Sequence, residues 1–279
     1  RAMMRVAIVG AGIAGLTLAL ALHRRGIPAR IFEAATAIKP LGVGLNIQPY
    51  ASRILDDLGL LRQIAARSVS PAEMLFFNRF GQKIHAVRLG LAGGHACPQV
   101  SVHRATLQLT LLRAVRDRLG DDAVIVGHKF VSFTQSPDQL AAVFLNRHAG
   151  DRAVTVGCDA LIGADGVHSR VYRALFPDGP GLQHQPVHMW RGVTPAPGFL
   201  GGASMIRVGL PAYGKLVAYP IRHKLGPNGD QLINWVAEVA TDLLADMTDD
   251  ERRDNHSFIR FYAGQRFPWL DLPALLAGA

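Results

Sequence analysis

The sequence predicts an α/β fold in two domains, one with a parallel sheet and a three-strand β-meander, the other built on an antiparallel sheet. Three observations carry this. Residues 5–33 read as strand, glycine turn, helix and strand. Short β-type runs between residues 123 and 156 follow one another with turn residues and no helix between them. Beyond Pro180, apolar runs alternate with proline-bearing loops.

The first element is the apolar run Val6–Val9, which fits a strand buried on both faces. Gly10, Gly12 and Gly15 then give G-x-G-x-x-G at the start of an apolar helix. The first glycine permits the tight turn, the second lets a pyrophosphate approach the backbone, and the third lets helix and strand pack closely. Free N–H groups and the positive dipole end of the helix favour that anion. His23, Arg24 and Arg25 place positive charge in the last turn, and Gly26 is the expected left-handed cap. Residues 29–32 form the second strand. Glu33 ends it, about 20 residues beyond the glycines, where an acid bonds ribose hydroxyls. This is a Rossmann-like dinucleotide site; the motif by itself leaves FAD and NAD(P) both open.

Lys39-Pro40 breaks the chain, and Gly42 and Gly44 suit a loop that lies close to a ligand. Pro49 opens a helical pattern through Ile64, interrupted at Gly59. Leu75–Phe77 and Ile84–Val87 flank a hairpin turn, and Gly90–Pro98 is a connection. Arg104 precedes a helix bearing Leu107, Leu111, Val115 and Leu119 and closed by Gly120. The β-meander follows, which is unlike an ordinary NAD dehydrogenase. Cys158–Gly166 supplies another buried strand ending in Gly-Ala-Asp-Gly, a turn that can hold a carboxylate beside a cofactor. Residues 167–175 read as a short helix. Four strands near 185–190, 204–209, 215–220 and 231–238 form the second sheet, a polar helix is expected over 248–261, and a short apolar helix near 272–276.

The chain has 279 residues, 49% hydrophobic and 18% charged, enough for two well-filled cores. No apolar run reaches membrane-spanning length, and the N-terminal run is the first strand and helix rather than a signal peptide. Two cysteines, Cys97 and Cys158, lie far apart and fit reduced thiols in a cytoplasmic protein. The net charge is +9, but the arginines are scattered and no basic run is long, so steering of anionic small molecules is expected rather than nucleic-acid binding. The eleven histidines show no metal-ligand spacing, so no metal is expected.

Taken together, the Gly10/Gly12/Gly15 elbow with Glu33, Arg104 before a helix, and Asp165-Gly166 within G-A-D-G-V-H-S-R resemble the FAD-dependent aromatic-ring hydroxylases, the class A flavoprotein monooxygenases. P-L-G-V-G-L-N-I-Q-P at 40–49, M-W-R-G-V-T at 189–194 and L-V-A-Y-P-I at 216–221 are similar to the phenazine-modifying, methylphenazine-carboxylate hydroxylase branch. The family's second Gly-Asp motif, G-D-A-A-H-x-x-x-P, has no counterpart here, and Gly229-Asp230 does not fit it. A chain lacking the C-terminal part of the family pattern is therefore expected.

The resemblance implies an FAD-binding domain over 1–72 and 101–180 and a substrate domain over 73–100 and 181–279. It implies a monooxygenase that uses FAD, NAD(P)H and O2 to hydroxylate an aromatic or heteroaromatic substrate. Gly10, Gly12, Ile13, Ala14 and Gly15 would meet the FAD pyrophosphate, with Glu33 and Ala34 at the adenosine ribose. Leu41, Gly42 and Val43 would line the flavin, Arg104 would reach the flavin side, His128 would lie near adenine and Asp165 near the pyrophosphate. Trp190, Arg191 and Tyr219 are candidate substrate-pocket residues. No side chain is assigned a catalytic role, since the flavin carries the oxygen chemistry. Two alternatives stay open at this point: a flavoprotein fragment that keeps the fold with little or no activity, and an NAD(P)-dependent Rossmann oxidoreductase.

Overall fold

The structure, a computed structural model, describes residues 4–40, 42–225, 227–254 and 256–279. In chain order it begins β1 (Val6–Val9), α1 (Ile13–His23), β2 (Ala29–Phe32), β3 (Gly44–Ile47), α2 (Pro49–Asp57) and α3 (Leu61–Ala65). It continues β4 (Glu73–Phe77), β5 (Lys83–Arg88), β6 (Val100–His103), α4 (Arg104–Leu119), β7 (Val124–Ile125), β8 (His128–Gln135), β9 (Leu140–Asn146), β10 (Arg152–Cys158) and β11 (Ala160–Gly163). The remainder is α5 (Arg170–Leu175), β12 (Val187–Ala196), β13 (Ser204–Gly209), β14 (Lys215–Leu225), β15 (Asp230–Ala240), α6 (Asp249–Arg253) and α7 (Leu272–Ala277).

The chain divides into two compact units. The first comprises 1–41 and 107–183, the second 42–106 and 184–279. Residues 42–72 and 101–106, read from the sequence with the FAD-binding domain, lie in the second of these units. The reason is pairing. β3 runs antiparallel to β6, Val69 bridges to Ser101, and the Gly44 amide bonds to Asn234 of β15.

In the first unit, four parallel strands lie in the order β11-β1-β2-β7. Val6 to Val9 are all buried, as a strand covered on both faces requires. α1 packs on the sheet through Leu16, Ala19 and Leu20. The separate antiparallel sheet β10-β9-β8 is the predicted meander, and its Phe130, Ala142 and Phe144 pack with Ala7, Val9 and Phe32. Phe32 and Phe144 stack with centroids 4.4 Å apart. The run at 123–126, read as part of the meander series, instead contributes β7 to the parallel sheet.

The second unit is built on a six-stranded sheet, order β12-β15-β14-β13-β4-β5. The four strands expected after residue 180 pair antiparallel, and β4 joins them parallel to β13, so the sheet as a whole is mixed. Alternation along the strands sorts the residues onto two faces. One face carries Trp190, Ala237, Leu216, Val208 and Phe77 in register. It is covered by Leu244, Met247, Phe258, Tyr262, Phe267, Leu272, Leu275 and Leu276 from the C-terminal segments. The opposite face carries Arg191, Val236, Val217, Arg207 and Phe76 in one row, with Tyr219 beside Asn234 in the next.

The helix expected over 248–261 is shorter. Thr248 and Glu251 form a capping box that starts α6, and the helix ends at Arg253. The Asp254 carboxylate then accepts the Ser257 amide at 2.8 Å and its hydroxyl at 2.6 Å, a local bond that competes with helix and turns the chain into a 3-10 segment over Ser257–Tyr262.

Candidate functional site

The three glycines of the first unit each meet a different physical demand. Gly10 has φ +103° and donates its amide to the Phe32 carbonyl at 2.8 Å. A Cβ there would lie 2.5 Å from the Ala164 carbonyl oxygen, so the backbone of Ala164–Asp165 lies directly against the elbow. A Cβ on Gly15 would lie 2.0 Å from the Gly10 carbonyl oxygen, which forbids any side chain where α1 crosses the turn. Gly12 is the reverse: an added Cβ would have no atom within 4 Å. Open space at the middle glycine is what a closely approaching pyrophosphate needs.

Gly12 also caps α1 without any side-chain bond, and no acid occupies the first turn. Ile13 and Ala14 open that turn. Uncapped amides at the positive end of an 11-residue helix form a ready anion site. Gln108 of α4 donates from Nε2 to the Ala11 carbonyl at 3.1 Å and holds the elbow from the other side. The sequence reading passed over Gln108. Its helical position was legible, but nothing in the sequence signals a bond spanning 97 residues.

Glu33 faces the elbow. Oε2 accepts the Ala11 amide and Oε1 the Ala35 amide, both at 2.8 Å. Each carboxylate oxygen keeps a further lone pair for a ribose hydroxyl. His128 joins this edge through its backbone, donating its amide to the Glu33 carbonyl at 2.8 Å, while Gly127 donates to Ala35 at 2.7 Å. The His128 ring is half-buried, with Nδ1 2.9 Å from the Val126 carbonyl and its edge toward Phe32. Glu33, Ala34 and His128 are therefore neighbours along this edge.

The Asp165 backbone lies against the elbow, and its carboxylate turns to the following helix. Oδ1 accepts the Ser169 hydroxyl at 2.6 Å, and Oδ2 accepts the amides of Arg170 at 2.6 Å and Val171 at 3.2 Å. The carboxylate thus closes the start of α5. What Gly-Ala-Asp-Gly offers the elbow is backbone, not the carboxylate the sequence suggested.

The other sequence-derived positions belong to the second unit. Leu41 lies outside the described residues. Gly42 has φ +132°, and a Cβ there would stand 3.3 Å from Arg104 Cβ; Arg104, exposed, donates its amide to the Val43 carbonyl at 3.1 Å. The loop and Arg104 are thus held together. Trp190 is not on the face that carries Arg191 and Tyr219. Its ring stacks on Phe258 at 4.7 Å and Nε1 donates to the Arg252 carbonyl at 2.9 Å, inside the covered core. Adjacent residues of one strand point to opposite faces, so Trp190 and Arg191 cannot line one pocket. Trp190 is a packing residue.

On the opposite face, Tyr219 is buried among Met205 and Ile221, with Met74, Leu89, Val193, Val217 and Leu232 around them. Burial raises the Tyr219 hydroxyl above its ordinary range, while Arg191 and Asn234 pull it the other way. The phenol is neutral at physiological pH and available as a donor. Asn234, fully buried on the same face, is a second residue the sequence reading missed.

Among the described residues, no cluster of three or more His, Cys, Asp or Glu side chains could hold a metal ion, and no helix is long and apolar enough to cross a membrane.

Residues 3–197 match the family described as FAD binding domain. Phenazine 1,6-dicarboxylic acid hydroxylase PhzS of Lysobacter antibioticus is 39% identical over 276 residues, covering 98% of this chain and 68% of that protein. A 3-amino-4-hydroxybenzoate 2-monooxygenase of Streptomyces cremeus is 33% identical over 197 residues, 69% of this chain and 47% of its own length. Klebsiella pneumoniae HpxO, solved with FAD and uric acid, superposes with a TM-score of 0.78 at 21% identity, over 99% of this chain and 65% of that one. The chain thus spans from about half to about two thirds of the length of these relatives. The elbow fits the dinucleotide the family binds, and the NAD(P)-dependent dehydrogenase alternative falls away. The chain belongs to the FAD binding domain family, among the FAD-dependent aromatic-ring hydroxylases.

Proposed function

We propose that this chain is the FAD- and substrate-binding part of an NAD(P)H- and O2-dependent monooxygenase that hydroxylates an aromatic or heteroaromatic acid. The observation that carries this reading is the open space over Gly12 at the uncapped start of α1, with the Glu33 carboxylate held beside it by Ala11. The backbone of Gly12, Ile13 and Ala14 would hold the pyrophosphate, and Glu33 with Ala34 the ribose. His128 would flank adenine, and the Ala164–Asp165 backbone would close the elbow. Gly42, Val43 and Arg104 are assigned to the flavin by the family pattern. Bound FAD supplies the electron and oxygen chemistry. The protein's task is to orient the ring, exclude water and admit the nicotinamide.

The substrate class rests on two supports. PhzS is named for a phenazine dicarboxylic acid, and the sheet face around Tyr219 combines apolar side chains with a phenol, an amide and the exposed Arg191 guanidinium. That mixture suits a flat ring bearing an anionic or hydrogen-bonding substituent. Unpaired Cys97 and Cys158 suit a reducing compartment such as the cytoplasm.

The test is a visible spectrum of the purified chain titrated with FAD, followed by NADH and NADPH oxidation with and without phenazine 1,6-dicarboxylate. A shifted flavin band and ring-stimulated oxidation are expected. An unshifted band at saturating FAD overturns the reading.

A further inference from the structure

Asn234 is fully buried in β15, next to the buried apolar side chains Ile233, Trp235, Val236 and Ala237. Its Oδ1 accepts the Gly44 amide at 2.6 Å. Because the Gly44 N–H is a donor, the oxygen must face it, which fixes the carboxamide and sends Nδ2 the other way. Nδ2 has no hydrogen-bond partner. A buried unpaired amide donor is costly, and such a group in a folded chain calls for an explanation.

Two neighbours supply one. Gly44 is packed so closely that a Cβ would stand 2.7 Å from both Asn234 Cβ and Ile221 Cγ2. The strand following the 42–43 loop is therefore seated directly on the Asn234 side chain. On the other side, Tyr219 stands directly opposite Asn234 across β14 and β15, and no hydrogen bond joins its hydroxyl to Nδ2. A phenol can donate to one group and accept from another at once.

We propose that Asn234 is a positioning residue that couples the substrate face to the 42–44 loop: when the Tyr219 hydroxyl donates to an acceptor on the bound ring, its oxygen accepts a hydrogen bond from Asn234 Nδ2, and the stiffened amide holds Gly44 in place through Oδ1. This rests on the function proposed above, in which Tyr219 faces the ring and residues 42–43 face the flavin. The coupling is reciprocal, so the ring tightens FAD binding by the factor by which FAD tightens ring binding.

The experiment uses Asn234→Asp, which keeps an acceptor for Gly44 and removes the donor toward Tyr219, alongside Asn234→Leu, which removes both. FAD affinity is measured by flavin fluorescence with and without saturating phenazine 1,6-dicarboxylate, and Gly44 amide exchange is followed in the flavin-free protein. In the unaltered chain, the ring is expected to tighten FAD binding several-fold and slow Gly44 exchange. N234D is expected to lose both responses, and N234L also weakens ring-free FAD binding by about tenfold. If N234L does not fold, N234D alone decides. Full retention of both responses in N234D overturns the relay. Failure of the unaltered chain to bind FAD overturns the proposed function and the relay with it. FAD binding with no ring response in the unaltered chain overturns the relay alone.

Discussion

The Glu33 carboxylate accepts the Ala11 amide at 2.8 Å, so the acid that ends β2 also fixes the turn that follows β1. One side chain both shapes the elbow and stands ready for the ribose. A charge-assisted bond of this kind contributes about 1.5–3 kcal/mol. Glu33→Gln keeps an acceptor but loses the charge and donates where the ribose hydroxyls also donate. We expect FAD affinity to fall by about ten- to a hundredfold, read by flavin titration, with a small change in unfolding midpoint. Unchanged affinity would remove Glu33 from the cofactor site.

The glycines separate folding from binding. Gly12→Ala places a methyl where no protein atom lies within 4 Å, at a backbone φ of −73° that alanine accepts. Its cost to the cofactor-free fold is expected to stay below about 1 kcal/mol, while FAD affinity falls at least about tenfold because the methyl occupies the approach to the backbone. Gly15→Ala drives a methyl to 2.0 Å from the Gly10 carbonyl oxygen and is expected to destabilise the fold itself by about 1–3 kcal/mol or more. Denaturant unfolding without FAD distinguishes the two. Equal destabilisation by both would refute the division of roles.

The elbow was legible in the sequence because its causes are local: a glycine triplet, an apolar strand before it, an apolar helix after it and an acid at the next strand end. The meander and the C-terminal sheet were legible from turn residues and alternation. What escaped was set by contacts between distant positions. Asn234 reaches Gly44 across 190 residues, and Gln108 reaches Ala11 across 97. The orientation of Asp165 escaped for a different reason. Aspartate before a short helix serves equally as ligand or cap, and only the positions of Ser169, Arg170 and Val171 decide. Trp190 beside Arg191 was decidable: period two alone places neighbours on opposite faces.

In the second unit, Thr194 links sheet to C-terminal helix. Its buried hydroxyl accepts from Trp235 Nε1 at 3.0 Å and donates to the Leu275 carbonyl at 2.8 Å. Thr194→Val keeps the shape and strands an indole donor and a carbonyl. A loss of about 1–3 kcal/mol is expected, seen as a lower urea midpoint at unchanged slope. FAD affinity should not move, since this face is covered by packing rather than ligand.

Asp159 ties the lead-in of β11 to the start of β1. Its carboxylate accepts the Arg5 amide at 2.7 Å and the Arg5 guanidinium at 3.2 Å. The side-chain bond from Arg5, and then its backbone bond, hold the Asp159 carboxyl below the usual carboxylate range. A group whose folded pKa lies below its unfolded value, about 3.9 for aspartate, gives its full stabilisation above that unfolded value. The contribution is lost as pH falls through the lowered folded value. Asp159→Asn keeps an acceptor and removes the titration. The variant and the unaltered chain should therefore differ by a constant offset from about pH 7 down to about pH 5, and converge below about pH 4 as the native carboxylate protonates. Both partners are substantially exposed, so raised salt should shrink the offset. Thermal midpoints across that pH range, at low and high salt, make the comparison. Curves that stay parallel to the acid end would show that Asp159 acts through its hydrogen-bonding shape and not through its charge.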